Sequence, residues 1–225
     1  MRNIDELNVS AWTKEIKKNV MLYPNERVVA FLGRNYKPID NNSKRKALDI
    51  GFGSGRHLKL LLDYNFNTYG TDYSEQCVQV AKEVLGNNSL LHGLYNKSFE
   101  ELEFNKETFD VILFWGVAFL RPLSKMKSDM ESIYKLLKKG GKAIINFRTT
   151  EDDMYQNGQK VEENTFILDE TFIDYENMVY TFLSLDDAKS LVTDSGFKII
   201  NIERDDYWKN NLQQKNSWWV FTLEK

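Results

Sequence analysis

The stretch Asp49-Ile50-Gly51-Phe52-Gly53-Ser54-Gly55 decides the fold that this sequence predicts. Its first residues complete a short apolar run that starts at Ala47 and is typical of a buried strand. It precedes a segment with leucines at helical spacing. Small residues between a strand and a helix let a ligand approach the backbone, and the helix N-terminus offers free amide donors. The stretch therefore predicts a ligand-binding turn in an α/β domain.

The spacing of the glycines argues against a nicotinamide dinucleotide site. A dinucleotide fingerprint places its third glycine three positions after the second. Counted from Gly53, that position holds Arg56, whereas Gly55 comes one step early. Nicotinamide-dependent oxidoreduction is therefore a disfavoured alternative.

Outward from this turn, strand and helix patterns alternate along the chain. The continuous apolar run 109–115 indicates a strand that is buried on both faces. Such alternation is typical of a mostly parallel sheet between two helix layers. The predicted strands are 47–50, 67–71, 90–95, 109–115, 142–147, 197–202 and 218–223.

The segment 149–183 interrupts the alternation and is long for a connection in an α/β fold, which is typical of a lid or a binding element. Its apolar runs 165–168, 171–173 and 178–182 predict an inserted hairpin or a small antiparallel patch. A chain of 225 residues suits one domain rather than two. The predicted organisation is a single domain, 1–225, made of an N-terminal helical cap (1–40), a ligand-binding core (41–148), the inserted lid or hairpin (149–183) and a C-terminal helix with two strands (184–225).

Charge and composition exclude several classes of function. The 30 basic and 33 acidic residues give a net charge of -3, so we expect no nucleic-acid partner. One cysteine and two histidines provide too few ligands for a zinc site, and we expect no metal. No stretch approaches the roughly 18 uncharged apolar residues of a membrane span. We therefore expect a cytoplasmic protein without a membrane partner.

The glycine stretch resembles the first motif of the class I methyltransferases that use S-adenosylmethionine, in which an acidic residue, an apolar residue and glycines stand in the order of Asp49, Ile50, Gly51, Gly53 and Gly55. The resemblance implies a Rossmann-like three-layer sandwich with a seven-stranded sheet, mostly parallel and with the last strand antiparallel. It also implies S-adenosylmethionine as the cofactor.

By the same resemblance, Asp49 would hold the cofactor's amino group, and Asp72, after the second strand, would accept both ribose hydroxyls. A carboxylate suits a diol because it offers two acceptor oxygens at a fixed spacing. Tyr73 would flank the adenine. The remaining cofactor-binding residues implied are Gly51, Phe52, Gly53, Gly55, Ser98, Phe99, Phe114, Trp115 and Gly116.

Candidates for catalysis and substrate binding come from residues near the predicted ligand edge of the sheet. His57 follows the glycine turn and could act as a base, although a structural role is the default expectation. Arg121 and Arg148 lie just past predicted strands and could hold a substrate anion, or equally form ion pairs. The predicted substrate residues are Trp12, Tyr23, Arg148 and Tyr155.

The sequence therefore predicts methyl transfer to a nitrogen or oxygen atom of a small-molecule acceptor. Protein methylation, and a non-catalytic module that senses the cofactor or assists another enzyme, remain alternatives. The intact acidic residues and glycines argue against the non-catalytic alternative. A homodimer is possible, and the sequence does not decide it.

Overall fold

The computed structural model describes Asn8, Trp12, Thr13, Ile16 and residues 20–37 and 44–225, apart from the side chain of Asp174. The four isolated N-terminal residues are helical. Part of the predicted cap, 1–40, therefore lies outside the described residues, namely 1–7, 9–11, 14–15, 17–19 and 38–40.

Five helices and ten strands form the described part of the chain. The helices are α1 (Glu26–Asn35), α2 (Arg56–Asp63), α3 (Glu75–Leu85), α4 (Leu123–Leu136) and α5 (Leu185–Asp194). The strands are β1 (Lys46–Ile50), β2 (Asn67–Thr71), β3 (Leu91–Tyr95), β4 (Phe109–Phe114), β5 (Leu137–Thr149), β6 (Gln159–Glu162), β7 (Thr165–Ile167), β8 (Val179–Leu183), β9 (Lys198–Lys209) and β10 (Gln214–Glu224).

The main sheet has the order β3-β2-β1-β4-β5-β10-β9. Strands β1 to β5 are parallel, whereas β10 runs antiparallel to both of its neighbours. The predicted seven-stranded sheet with an antiparallel last strand is confirmed. Three further strands extend it, because β8 pairs with the end of β5 and continues into β7 and β6.

Apolar side chains cover both faces of this sheet. Leu48, Ile112 and Phe147 belong to a buried cluster with α4 and α5, whereas Ala47, Val111 and Ile144 pack with α1 and α2. Adjacent residues of one strand therefore enter opposite layers, as the strand geometry requires. The continuous apolar run of β4 is buried on both faces, as its sequence predicted.

The structure corrects three of the predicted elements. The segment Thr171–Ile173 lies in a 3₁₀ turn, Glu170–Tyr175, and not in a strand. Strand β5 begins at Leu137, before Gly140 and Gly141, because Leu137 is buried and pairs with Phe109. Strands β9 and β10 extend well beyond the predicted 197–202 and 218–223, since their outer parts pair with each other as a hairpin whose half-exposed residues carry little apolar signal.

The described residues contain no helix that is both long and apolar enough to cross a membrane.

Candidate functional site

The glycine turn forms one wall of a cavity of about 930 Å³, including its open mouth, at the carboxyl ends of β1 and β4. Gly51 and Gly53 have φ angles of 72° and 56°, a region that favours glycine. A Cβ atom on Gly51 would lie 2.2 Å from Cγ2 of Val117, so a side chain cannot fit there. The turn therefore keeps its backbone open to the cavity.

Asp72 is fixed at this cavity by the backbone. One carboxylate oxygen accepts the N–H of Gly53 and the other accepts the N–H of Ser74, both at 2.9 Å. The side chain is buried, and burial raises its pKa despite these hydrogen bonds. Each carboxylate oxygen has a further lone pair, so the group can still accept two hydroxyl donors. Asp72 lines the cavity, as its predicted role requires.

Asp49 is a buried carboxyl group with an unused acceptor. Its Oδ2 atom has no hydrogen-bond partner among the described residues, and 1% of the residue is exposed. Burial, together with the negative charge of Asp72, raises the pKa of Asp49 to about 8. Buried polar atoms without a partner are rare in folded proteins. A cationic ligand group near the turn would stabilise the ionised carboxylate, which fits the amino group of S-adenosylmethionine.

His57, at the start of α2, lines the cavity but is committed to a backbone contact. Its Nε2 atom accepts the N–H of Asn25 at 3.1 Å. Burial, together with the neighbouring positive charge of Arg56, lowers the pKa of His57 to about 3. The ring is therefore neutral and its acceptor nitrogen is occupied, which favours the structural role over that of a base.

A smaller cavity adjoins the first and includes the residues predicted to surround the adenine. Tyr73, Ser98 and Phe99 line it together with Arg121. Arg121 is buried and forms an ion pair with Asp129 at 2.9 Å. It also contacts Glu100 and donates to the hydroxyl of Tyr73 at 2.6 Å. Arg121 therefore stabilises this wall instead of offering an uncompensated charge to a substrate anion.

The end of β4 separates two cavities. Phe114 is fully buried and packs edge-on against Phe99, whereas Trp115 and Gly116 line the main cavity. Trp115 and Gly116 also line a second cavity of about 970 Å³, including its open mouth. The backbone N–H of Gly116 donates to Oδ1 of Asn146 at 2.7 Å. The two cavities thus share a wall at Trp115 and Gly116, two of the residues that the resemblance assigns to cofactor binding.

The predicted substrate residues occupy different places. Trp12 lines the main cavity, and its ring lies 3.9 Å from the position of a Cβ atom on Gly53. Tyr23 is 84% exposed. Arg148 is buried in an ion pair with Asp152, and Tyr155 packs within the inserted segment, donating to Asn164. Of these four, only Trp12 is among the described residues that line either cavity.

The structure adds residues that the sequence did not single out. Arg56, Ser74 and Val117 line the main cavity, each directly after a predicted site residue, so proximity to the motifs was an available signal. The second cavity contains Asn146, a polar residue in the otherwise apolar run of β5, which was a further signal. Its other unpredicted lining residues are Asn25, Glu26, Phe119, Asp205, Asp206, Tyr207 and Trp218.

Comparison with known proteins supports the assignment that this geometry suggests. Residues 47–141 match the family model of a methyltransferase domain. No curated protein matches the chain by sequence.

Among solved structures, a methyltransferase dependent on S-adenosylmethionine from Methanosarcina mazei is 16% identical, with a TM-score of 0.68 over 86% of this chain and 96% of that one. One from Mesorhizobium loti is 12% identical, with a TM-score of 0.65 over 89% of this chain and 96% of that one. Phosphoethanolamine N-methyltransferase 2 from Haemonchus contortus, in complex with phosphomonomethylethanolamine and S-adenosylhomocysteine, is 17% identical, with a TM-score of 0.62 over 96% of this chain and 57% of that one.

These structural similarities establish the fold, and the match of residues 47–141 covers the strands and turns that build the main cavity. The predicted resemblance to the S-adenosylmethionine-dependent methyltransferases, which implies S-adenosylmethionine as the cofactor, is confirmed. Residues 47–141 form a methyltransferase domain, and the described chain has the fold of these S-adenosylmethionine-dependent enzymes.

Proposed function

We propose that this chain transfers the methyl group of S-adenosylmethionine to a nitrogen or oxygen atom of a small-molecule acceptor. One observation carries the proposal. The carboxylate of Asp72 is oriented by two backbone N–H groups beside the glycine turn, and the buried Oδ2 atom of Asp49 has no partner among the described residues. Together they provide acceptors for a diol and for a cationic amino group.

In this proposal each wall holds a different part of the cofactor. Asp72 accepts the ribose hydroxyls, Asp49 accepts the amino group, and Gly51 and Gly53 give room for the methionine part. Tyr73, Ser98 and Phe99 enclose the adenine. The bound cofactor supplies an electrophilic methyl group, so the protein mainly has to align the acceptor and exclude water.

The acceptor reaches the methyl group at the junction of the two cavities, beside Trp115 and Gly116. A small molecule suits this arrangement because the second cavity has a volume of about 440 Å³ when open solvent is left out. Its described lining residues include no lysine or arginine. A phosphorylated amine, such as the one bound by the Haemonchus contortus protein, is therefore a poor candidate for the acceptor.

Isothermal titration calorimetry of the purified chain tests the proposal. We expect micromolar binding of S-adenosylmethionine and S-adenosylhomocysteine and no binding of nicotinamide dinucleotides under the same conditions. Tighter binding of a dinucleotide would contradict the assignment of the cavity. Binding of neither class would favour a non-catalytic role.

A further inference from the structure

The second cavity has aromatic walls. Trp115, Phe119, Tyr207 and Trp218 line it, and the rings of Tyr207 and Trp218 stack with centroids 5.2 Å apart. Tyr207 is 46% exposed, as expected for a residue at the open mouth. Aromatic faces attract cations and also pack against the apolar faces of small rings.

Its charged lining is acidic, and the carboxylates differ in their partners. Asp205 accepts from Nε of Arg27 at 2.8 Å. Asp206 accepts from Nε of Arg204 at 2.9 Å. Glu26 is exposed and forms no ion pair within the described part of the chain. Glu26 is thus the one lining carboxylate without an ion pair among the described residues, although its charge helps to raise the pKa of Arg27.

Asn146 provides a fixed hydrogen-bond donor to the same cavity. Its side chain is almost completely buried, with 4% of the residue exposed. Because Oδ1 accepts the N–H of Gly116, the orientation of the amide group is set. Nδ2 is then the atom that is left to donate hydrogen bonds. No hydrogen bond from Nδ2 is formed to the described residues. A ligand oxygen in the cavity would satisfy this donor.

From this combination we infer that the second cavity binds an amine that also carries an uncharged oxygen, with the ammonium group between Glu26 and the aromatic rings and the oxygen at Nδ2 of Asn146. The inference rests on the proposed function, since it specifies the acceptor of that reaction. Anionic acceptors are disfavoured because three carboxylates line the cavity.

A nitrogen acceptor also fits the groups at this cavity, where Glu26 is the one lining carboxylate without an ion pair among the described residues. A hydroxyl needs a base within hydrogen-bond reach, whereas an amine needs only to be neutral. Asp205 and Asp206 already accept hydrogen bonds from arginines, and His57 already accepts a backbone N–H. The ammonium loses a proton to solvent at the open mouth. The nitrogen lone pair then forms the N–C bond while the S–C bond breaks and its electron pair stays on sulfur.

Four small-ring probes test this inference by calorimetry on protein saturated with S-adenosylhomocysteine. The probes are vicinal aminocyclohexanol, cyclohexylamine, vicinal cyclohexanediol and vicinal aminocyclohexanecarboxylate. We expect aminocyclohexanol to bind about tenfold more tightly than the diol, and the carboxylate to bind most weakly. Release of S-adenosylhomocysteine in a parallel assay with S-adenosylmethionine should follow the same order.

Two variants locate the preference. Glu26→Gln should lower the affinity for the two amines without a carboxylate, aminocyclohexanol and cyclohexylamine, about threefold. Glu83→Gln, an exposed change on α3, should leave both affinities unchanged. Asn146→Leu should reduce the preference for aminocyclohexanol over cyclohexylamine from about fivefold to about one. This ratio between two probes is insensitive to a general loss of folded protein.

Preference for the diol or the carboxylate would overturn the inference, and so would the absence of binding by every probe. If S-adenosylhomocysteine binds in those cases, the proposed function stands and only the acceptor class is wrong. If S-adenosylhomocysteine itself does not bind, the proposed function fails as well.

Discussion

The main cavity and the inserted segment 149–183 differ in how their buried carboxylates are hydrogen-bonded. Around the main cavity, Asp72 keeps free acceptor capacity and Asp49 has an oxygen without a partner. In the insertion, Asp152 is fully engaged, because its carboxylate accepts from Arg148, from Met154 N and from Ser217 N. A buried carboxylate with spare capacity suits a ligand site, whereas a saturated one suits structural support. The contrast holds for these carboxylates and not for every polar group, since Oδ1 of Asn157 in the insertion also has no partner among the described residues.

The insertion also has its own apolar cluster, which includes Phe166, Tyr180 and Phe182. This cluster reaches Leu120 and Trp12, which line the main cavity. Asn8 joins the two regions, since it donates to Leu120 O and accepts from Val179 N. The insertion therefore supports the cavity wall from behind, and mutations in the two regions should separate stability from binding.

The largest effect is expected on the free energy of unfolding, in the variant Arg148→Met. This change leaves the buried carboxylate of Asp152 without its cation and removes the guanidinium that lies 4.2 Å from the ring centroid of Trp218. Breaking a buried ion pair costs about 3–5 kcal/mol of unfolding free energy. Urea denaturation would measure the loss, and the folded fraction should bind S-adenosylmethionine normally. A loss below about 1 kcal/mol would show that the pair contributes little.

The second effect is on binding, from Asp72→Ala. The cofactor would lose two hydrogen bonds to a charged group, so we expect affinity for S-adenosylmethionine to fall by about 100-fold. Calorimetry would measure it, with Asp63→Ala, an exposed change on α2, as the matched control. Unchanged affinity in Asp72→Ala would contradict its assignment to the ribose.

A pH titration of Asp49 sharpens the comparison further. Its raised pKa, about 8, means that the folded state holds this proton more tightly than the unfolded chain does. This contribution to stability is fully present below about pH 4 and is lost as the pH rises through about 8. Unfolding free energy should fall across this window in the unliganded protein, and Asp49→Asn should remove that part of the pH dependence.

Cofactor binding should show the opposite trend with pH. Because the ionised carboxylate is the form that holds an amino group, affinity should rise by up to about tenfold per pH unit between pH 6 and 8. The increase of affinity with pH should be smaller in Asp49→Asn. Because the cofactor itself titrates equally in both experiments, this variant also serves as the control for that titration. Equal slopes in the two proteins would exclude a direct role of Asp49.

The smallest effect is expected from Tyr155→Phe in the insertion. The change removes one hydrogen bond to Asn164 and keeps the ring packed against Phe166 and Phe182. We expect a loss of about 1 kcal/mol of unfolding free energy and no change in cofactor affinity. Weaker binding of an acceptor by this variant would instead support the predicted substrate role of Tyr155.

The sequence by itself determined the features that are encoded over short distances. A strand, a glycine turn and a helix follow one another between residues 46 and 63, so the position of Asp49 and of the turn could be predicted from local pattern alone. The parallel direction of β1 to β5 also followed from the alternation of elements, because parallel strands need long crossover connections, whereas their order in the sheet did not. Asp72 could be placed because β2 ends directly before it.

Only the tertiary structure decided which polar residues face the cavities. Arg121 follows a 3₁₀ turn and Arg148 lies near the end of β5, yet each meets a buried aspartate, Asp129 or Asp152. Asn146 and Asp205 come from β5 and β9 and lie at the same cavity only after the sheet has formed. The physical reason is that a side chain's role depends on its partners. The aspartates of Arg121 and Arg148 are 8 and 4 residues away along the chain, whereas Arg27, the partner of Asp205, is 178 residues away.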